Sequence, residues 1–260
     1  MRTVLLAMPG NEAMAQAIAR RLQAEVVTPV TRRFPDGETY LRIDADLRER
    51  SVAIVQTLSH PDDKFLPLLV AADAARAGGA QRVGLVALYL AYMRQDKQFQ
   101  PGEAVTSRTV ARLLSDSFDW LMSIDPHLHR YKSLSEIYTI PSTVLHTATL
   151  MSEWIGANVQ SPILIGPDAE SVQWVSDVAG RIDAPFTVLS KTRLGDRDIE
   201  VRLTDEIDIA GRTPILVDDI VSSGATMLKA LQRFKTLSRH QPVCVAVHGR
   251  FADGSDRQIQ

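Results

Sequence analysis

Residues 215–226 have the sequence ILVDDIVSSGAT, in which an apolar run leads into two acids and then into a loop of small residues. A short apolar run is typical of a fully buried strand, and a helical pattern follows over residues 224–237. Backbone N–H groups in a loop of Ser, Gly and Ala can close around a phosphate, and the N-terminus of the next helix attracts the same anion. The segment therefore predicts a strand, a phosphate-binding loop and a helix in succession.

The two acids, Asp218 and Asp219, restrict what the phosphate can belong to. Two carboxylates beside a phosphate repel it unless they bind hydroxyl groups or a cation, and the vicinal hydroxyls of a ribose together with a hydrated Mg²⁺ meet both needs. The spacing is neither that of a Walker loop nor that of the dinucleotide pattern Gly-x-Gly-x-x-Gly. The residues therefore favour a phosphorylated sugar over the alternative, a capped helix preceded by two exposed acids.

Other short apolar runs of strand length recur along the chain. They are Val4–Met8, Val52–Gln56, Val83–Leu88, Trp120–Ile124, Ile163–Ile165, Phe186–Leu189 and Val243–Val247. Helical patterns lie between many of them, and this alternation indicates βαβ units with mostly parallel strands. We therefore predict an α/β protein in which ligands bind at the carboxyl ends of the strands.

Two features interrupt the alternation. Glu38–Ile43 alternates polar and apolar residues after the turn-like Phe34–Gly37, which predicts an antiparallel flap. A poorly periodic stretch, Tyr131–Ile140, precedes Pro141, and we place a boundary near residues 141–147, between a domain of residues 1–143 and a domain of residues 144–260.

Composition excludes several classes of protein. The chain has 29 Lys and Arg residues against 31 Asp and Glu residues, so its formal net charge of −2 creates no field that would attract nucleic acid or a membrane. The single cysteine, Cys244, excludes an internal disulfide and lies in an apolar run typical of a buried thiol. Because the sequence has no signal-peptide pattern and no membrane-spanning apolar run, we expect a cytoplasmic protein without nucleic-acid or membrane partners.

Val217–Thr226 resembles the ribose 5-phosphate loop that type I phosphoribosyltransferases share with phosphoribosyl pyrophosphate synthetases. The resemblance implies that ribose 5-phosphate is bound by Asp218, Asp219, Ser222, Ser223, Gly224, Ala225 and Thr226. This segment alone does not separate the two families.

Further segments resemble the synthetases, also called ribose-phosphate pyrophosphokinases, and the resemblance covers nearly the whole chain. Arg33–Glu38 is similar to that family's flap, and Tyr92–Lys97 is similar to its Arg-Gln-Asp segment. The resemblance implies that ATP is contacted by residues of these two segments, namely Phe34, Asp36, Gly37, Glu38, Arg94 and Gln95. By their residues alone, the first segment equally fits a hairpin corner, and a solvated charged loop is the favoured interpretation of the second.

Two residues at predicted strand ends match positions that the synthetase family links to Mg²⁺. His127 lies in the family's Asp-x-His context, with His129 as the alternative ligand. Asp168 follows another strand, where the resemblance implies a Mg-associated carboxylate. The sequence departs from the family beyond Asp168, because Ala169–Ser171 replaces the glycines that usually follow.

The polar stretch Lys191–Asp198 is similar to the family's flexible catalytic loop. The resemblance implies that Lys191 and Arg193 are catalytic. The composition of the stretch fits a solvated hairpin equally well.

As a whole, the resemblance implies two similar type I phosphoribosyltransferase-like lobes, with ATP bound on the side of residues 1–143 and ribose phosphate on the side of residues 144–260. It implies transfer of the diphosphoryl group of MgATP to the 1-hydroxyl of ribose 5-phosphate, in a homodimer or larger ring whose flap serves a neighbouring subunit. Family members continue through another strand and helix beyond the position of Gln260, so the second lobe is either truncated or short by nature. A noncatalytic regulatory paralogue and a type I phosphoribosyltransferase are the alternatives.

Overall fold

The computed structural model describes residues 2–193, 199–203, 209–221 and 225–250, with the backbone alone described at 190–193, 199–203, 225–226, 229 and 233. The chain divides into two units, Met1–Leu145 and His146–Gln260. The sequence placed this boundary two residues earlier. The strand Ser142–Leu145 belongs to the first unit because it pairs in parallel with Trp120–Ile124.

The first unit is a six-stranded parallel sheet with helices between the strands. Its elements in chain order are β1 (Thr3–Ala7), α1 (Glu12–Leu22), β2 (Glu25–Val27), β3 (Val30–Arg33), β4 (Thr39–Arg42), β5 (Ser51–Val55), α2 (Asp62–Ala77), β6 (Arg82–Ala87), α3 (Thr106–Ser117), β7 (Trp120–Ile124) and β8 (Ser142–Leu145). The sheet order is β2-β1-β5-β6-β7-β8, and β3 and β4 form a separate antiparallel hairpin, which confirms the predicted flap.

The apolar runs become the buried strands of this sheet. Four residues of β5, from Val52 to Val55, are buried, since the strand has neighbours on both sides and helices cover the sheet. In α1, Ala15 and Ala19 lie four residues apart on one face and pack into a cluster with Leu5 of β1.

The second unit is a five-stranded sheet in the order β11-β10-β9-β12-β13. Its elements are α4 (Ala148–Asn158), β9 (Pro162–Gly166), α5 (Val172–Gly180), β10 (Phe186–Arg193), β11 (Ile199–Leu203), β12 (Thr213–Val221), α6 (Ala225–Leu237) and β13 (Val243–Gly249). All neighbouring strands are parallel except β10 and β11, which form an antiparallel pair at one edge.

Helices cover both faces of this second sheet. Leu164 and Ile215 pack in one cluster with residues of α4 and α5, whereas Ile163 and Leu216 pack in another with residues of α6. Successive strand residues point to opposite faces, so a continuous apolar run supplies both clusters. Within the described part of the chain, no helix has the length and apolar content needed to cross a membrane.

Gly84 in β6 provides a test of the packing in the first sheet. It lies opposite Trp120 of β7, and a Cβ added to Gly84 would lie 1.8 Å from the indole ring. We expect Gly84→Ala to lower the free energy of unfolding by about 1–3 kcal/mol, because the indole ring has to leave its position. Thermal unfolding of the purified variant measures the loss.

Gly180→Ala is the matched control, because no atom lies within 4 Å of the Cβ that it adds at the end of α5. We expect it to leave the melting temperature unchanged or slightly raised. Equal melting temperatures for the two variants would contradict the close approach of Gly84 to Trp120.

Candidate active site

The acids of the predicted phosphate segment lie inside β12 instead of at its end. The apolar run predicted the strand to stop at Val217, but β12 continues to Val221 because it stays paired with β13, with Asp218 opposite Ala246. The backbone N–H of Asp219 donates a hydrogen bond of 2.9 Å to Asp218 Oδ1. Both acids are half-buried at the carboxyl half of a central strand.

The electrostatics of this position disfavour a second negative charge. Burial raises the pKa of Asp218 to about 8, and the carboxylate of Asp219 and, more weakly, that of Asp168 act in the same direction. A hard cation bound at these carboxylates would offset both effects, and carboxylate oxygens are the ligands that Mg²⁺ prefers. The donor set therefore fits a magnesium ion.

Asp168 follows β9, which is the parallel neighbour of β12. The three acids therefore lie towards the carboxyl ends of two neighbouring strands of the second sheet. The residues after it form a 3₁₀ turn, Ala169–Ser171, which the Ser171 hydroxyl closes by donating to the Asp168 carbonyl at 2.6 Å. A Cβ at Gly166 would lie 2.2 Å from that hydroxyl oxygen, so the turn packs directly on the end of β9.

The small-residue loop itself, at Ser222, Ser223 and Gly224, lies outside the described residues. Its flanks have the predicted form, since β12 precedes it and α6 begins at Ala225. The backbone of Thr226 is in the first turn of α6.

Of the predicted catalytic segment Lys191–Asp198, the structure describes the backbone of residues 191–193, and these residues belong to a strand. The backbone of Lys191 and Arg193 belongs to β10 and is paired with Val201 and Ile199 of β11. Residues 194–198, which would complete the loop, lie outside the described residues.

In the first unit, the flap is an exposed hairpin with an aromatic residue at its tip. The Phe34 side chain is exposed, and the Arg32 guanidinium lies 4.5 Å from the Phe34 ring and 4.3 Å from the Tyr40 ring. The turn closes through Gly37, whose φ of +93° is in the region that favours glycine, and its N–H donates to the Phe34 carbonyl at 2.9 Å. Asp36 Oδ1 accepts a hydrogen bond from the Glu38 N–H at 3.2 Å.

The segment predicted to contact ATP follows β6, and it contains both buried and exposed side chains. Arg94 is exposed, whereas Met93 and Asp96 on either side of the Arg94–Gln95 pair are buried. Tyr92 has a φ of +63°, which is uncommon for a bulky residue. Its hydroxyl donates a hydrogen bond to Asp62 of α2, which holds the start of the segment against that helix.

The candidate histidines follow β7, the parallel neighbour of β6. His127 Nδ1 and His129 Nε2 lie 3.0 Å apart in a hydrogen bond, and the ring centroids are 3.7 Å apart. The structure therefore brings both alternatives of the sequence analysis together. The segment that contains Arg94 and the one that contains His127 leave the same edge of the first sheet.

Comparison with known proteins identifies the family. Residues 3–117 match the model of the N-terminal domain of ribose phosphate pyrophosphokinase, and residues 133–256 match that of the phosphoribosyl transferase domain. The ribose-phosphate pyrophosphokinase of Methanosarcina acetivorans is 33% identical over 87% of this chain and 77% of its own length. That of Bradyrhizobium diazoefficiens is 32% identical over 98% of this chain and 80% of its own length. The chain belongs to the ribose-phosphate pyrophosphokinase family.

Ribose-phosphate pyrophosphokinases are diphosphotransferases, so the family and the class of enzyme predicted from the sequence are confirmed. A solved structure of phosphoribosylpyrophosphate synthetase from Mycobacterium smegmatis is similar with a TM-score of 0.87 and 25% identity, over 99% of this chain and 85% of that one. The similarity confirms the α/β fold with two phosphoribosyltransferase-like domains. The match of residues 3–117 also separates this chain from the simple phosphoribosyltransferases.

The sequence motifs did not indicate two contacts that the structure forms around these segments. Tyr92 and Asp96 lie within the quoted segment, but their contacts with Asp62 and Arg130 join residues 30 and 34 positions apart. No spacing rule for helices or strands connects residues at such separations.

Proposed function

We propose that this member of the family transfers the β,γ-diphosphoryl group of ATP to the 1-hydroxyl of ribose 5-phosphate in the presence of Mg²⁺. The products are phosphoribosyl pyrophosphate and AMP. The observation that carries the proposal is the match of residues 3–117 to a domain that is named for this activity, joined in one chain to a phosphoribosyl transferase domain.

The second unit provides the residues that we assign to the sugar phosphate. The acids Asp218 and Asp219 accept hydrogen bonds from the ribose hydroxyls, since carboxylates are strong acceptors. The phosphate takes its donors from the backbone N–H groups and hydroxyls of Ser222–Thr226 and from the N-terminus of α6. This assignment explains why two acids precede a phosphate-binding loop.

The first unit provides the residues that we assign to ATP. Phe34 stacks on the adenine ring, and Asp36, Gly37 and Glu38 of the same turn contact the nucleotide. Arg94 donates to phosphate oxygens, for which its planar fork is suited, and Gln95 lies beside it. The Phe34 and Arg94 side chains are both exposed and therefore accessible to a ligand, which supports this assignment.

We assign Mg²⁺ to His127 in the first unit, and we also assign it to Asp168, Asp218 and Asp219 in the second unit. The raised pKa of Asp218 supports the second assignment, because a carboxylate that is costly to ionise alone gains most from a cation. A bound Mg²⁺ neutralises phosphate oxygens and so reduces the charge on the transferring group. His127 and His129 share a hydrogen bond, so each ring holds the other in a fixed orientation.

Lys191 and Arg193 supply positive charge to the diphosphoryl group during transfer. Phosphoryl transfer asks for little covalent chemistry from the protein, so positioning and charge stabilisation dominate. Positions two apart on a strand lie on the same face, and Lys191 and Arg193 are two apart in β10. We further propose a cytoplasmic homodimer or larger ring in which the flap of one subunit serves the ATP of its neighbour.

Incubation of the purified protein with ATP, Mg²⁺ and ribose 5-phosphate tests the proposal. We expect AMP and phosphoribosyl pyrophosphate in equal amounts, and loss of both on chelation of divalent cations. Release of pyrophosphate from phosphoribosyl pyrophosphate that depends on an added base would indicate a phosphoribosyltransferase instead. Binding of both substrates without AMP would indicate a regulatory paralogue.

Phe34→Ala tests the flap. Stacking of a base on an aromatic ring contributes about 1–3 kcal/mol, so we expect the KM for ATP to rise at least about fivefold. The KM for ribose 5-phosphate should stay within about twofold of the wild-type value, since the sugar binds elsewhere. Steady-state kinetics with each substrate varied in turn measures both constants.

Val30→Ala is the control for the flap, because Val30 is an exposed residue at the other end of the same hairpin. It should leave both KM values unchanged. Parallel changes in the two constants for Phe34→Ala would point to a folding or assembly defect and would contradict the adenine contact.

Lys191→Ala tests the catalytic assignment. If Lys191 stabilises charge that develops only in the transition state, kcat and kcat/KM should fall by similar factors, on the order of 10²–10³. Arg193→Ala should act in the same direction, and the double variant should lose less than the product of the single effects, since both side chains serve one anionic group. Lys235→Ala, at an exposed position in the last turn of α6, is the control and should remain fully active. Normal turnover in Lys191→Ala would overturn the assignment.

A further inference from the structure

Asp96 is a buried acid beside the two residues that we assign to ATP. Its side chain is only 2% exposed, whereas Arg94, two positions earlier, is exposed. The carboxylate therefore points into the protein and has no access to a ligand on the surface where Arg94 lies. An isolated carboxylate is costly to bury, so its partners determine where the segment can lie.

One partner of Asp96 comes from the segment that carries the candidate histidines. Arg130 Nη1 donates to Asp96 Oδ1 at 2.8 Å, in an ion pair between the segment after β6 and the segment after β7. Arg130 is three residues from His127 and directly follows His129. The ion pair thus fixes the distance between the backbone of the Arg94–Gln95 pair and that of the histidines.

Uncharged contacts hold the same segment from two further directions. The Tyr131 hydroxyl donates to the Asp96 carbonyl at 3.1 Å and lies 3.2 Å from the hydroxyl of Ser107, in the first turn of α3. The Ser107 N–H donates in turn to the Gln95 carbonyl at 3.3 Å. Tyr131 and Ser107 are both buried. Asp96 is therefore surrounded by groups that tie it to β7 and α3.

We propose that the Asp96–Arg130 ion pair is a positioning device that sets Arg94 and Gln95 against the histidine segment for nucleotide binding. The inference rests on the proposed function, because Arg94 and Gln95 matter only if they contact ATP. Loss of Arg130 leaves the Asp96 carboxylate without its ion-pair partner, and the segment shifts to restore solvation. Small displacements of a positioning group have large effects on binding and rate.

Titration calorimetry with ATP and Mg²⁺, in the absence of ribose 5-phosphate, tests the proposal on Arg130→Gln in the full-length protein. Arg130 is suitable because its side chain is 38% exposed, so the substitution leaves no cavity in the core. We expect the affinity for ATP to fall about tenfold or more and the affinity for ribose 5-phosphate to stay within about twofold. Arg130→Lys keeps the charge and should recover part of the loss.

Arg76→Gln is the matched control. Arg76 is also 38% exposed and forms an ion pair of 3.2 Å with Asp119, which precedes β7 and so lies at the opposite end of that strand from the histidines. Its loss should lower the melting temperature less than Arg130→Gln does, because Asp119 is 35% exposed, and should leave ATP affinity unchanged. Equal ATP affinities for Arg130→Gln and the wild type, or an equal loss in Arg76→Gln, would overturn the proposal.

A double-mutant cycle with Asp96→Asn assigns the effect to the pair. We expect the double variant to lose less ATP affinity than the product of the two single losses, since both substitutions remove one interaction. Fully multiplicative effects would show that Arg130 acts without Asp96 and would contradict the inference. The outcome is independent of turnover: wild-type protein that forms no AMP would refute the proposed function, whereas equal ATP binding in wild type and Arg130→Gln would refute only the positioning role.

Discussion

The constraint on which the structure depends is that a parallel sheet has to be covered on both faces. Parallel neighbours require crossover connections, and most of the crossovers here contain helices that pack on the sheets, so strand residues such as Leu164 and Ile163 are buried on opposite sides. Charged side chains are therefore kept away from the middle of the central strands, and the acids of β12 lie in its carboxyl half. Other polar side chains collect at the carboxyl ends, where Arg94 and His127 leave β6 and β7 and where Asp168 follows β9.

This constraint also explains which strands could be predicted. The central strands have apolar residues on both faces, and their runs identify them to within a few residues, as for β5 and β7. The strands β2, β8 and β11 were missed, and each lies at the edge of its sheet. An edge strand is defined by pairing with one neighbour and needs no apolar run, so a sequence such as Ser142–Leu145 carries little signal.

Candidate site residues could be proposed from the sequence where one short segment contains them. Asp218, Asp219 and the loop after them are contiguous, and so are Arg94 and Gln95. The features that could not be predicted depend on contacts between segments that are distant in sequence. The strand β12 continues past Asp218 because it stays paired with β13, and Asp96 forms an ion pair with Arg130 of the segment after β7. Backbone conformation was equally inaccessible, because nothing in the residue type of Tyr92 indicates a positive φ.

The charges of the proposed reaction make these contacts between segments important. Both substrates are polyanions, and the chain as a whole, with a formal net charge of −2, does not attract them. The second unit adds three acids at the carboxyl ends of its strands, where burial and, after it, repulsion from Asp219 and Asp168 raise the pKa of Asp218. Attraction must therefore come from a cation and from individual basic side chains held at fixed places. Positive charge at a few points is effective only if those points do not move, since the Coulomb energy falls with distance. In our proposal a buried acid such as Asp96 meets this need, because it pairs with Arg130 of the next segment and lies two residues from Arg94.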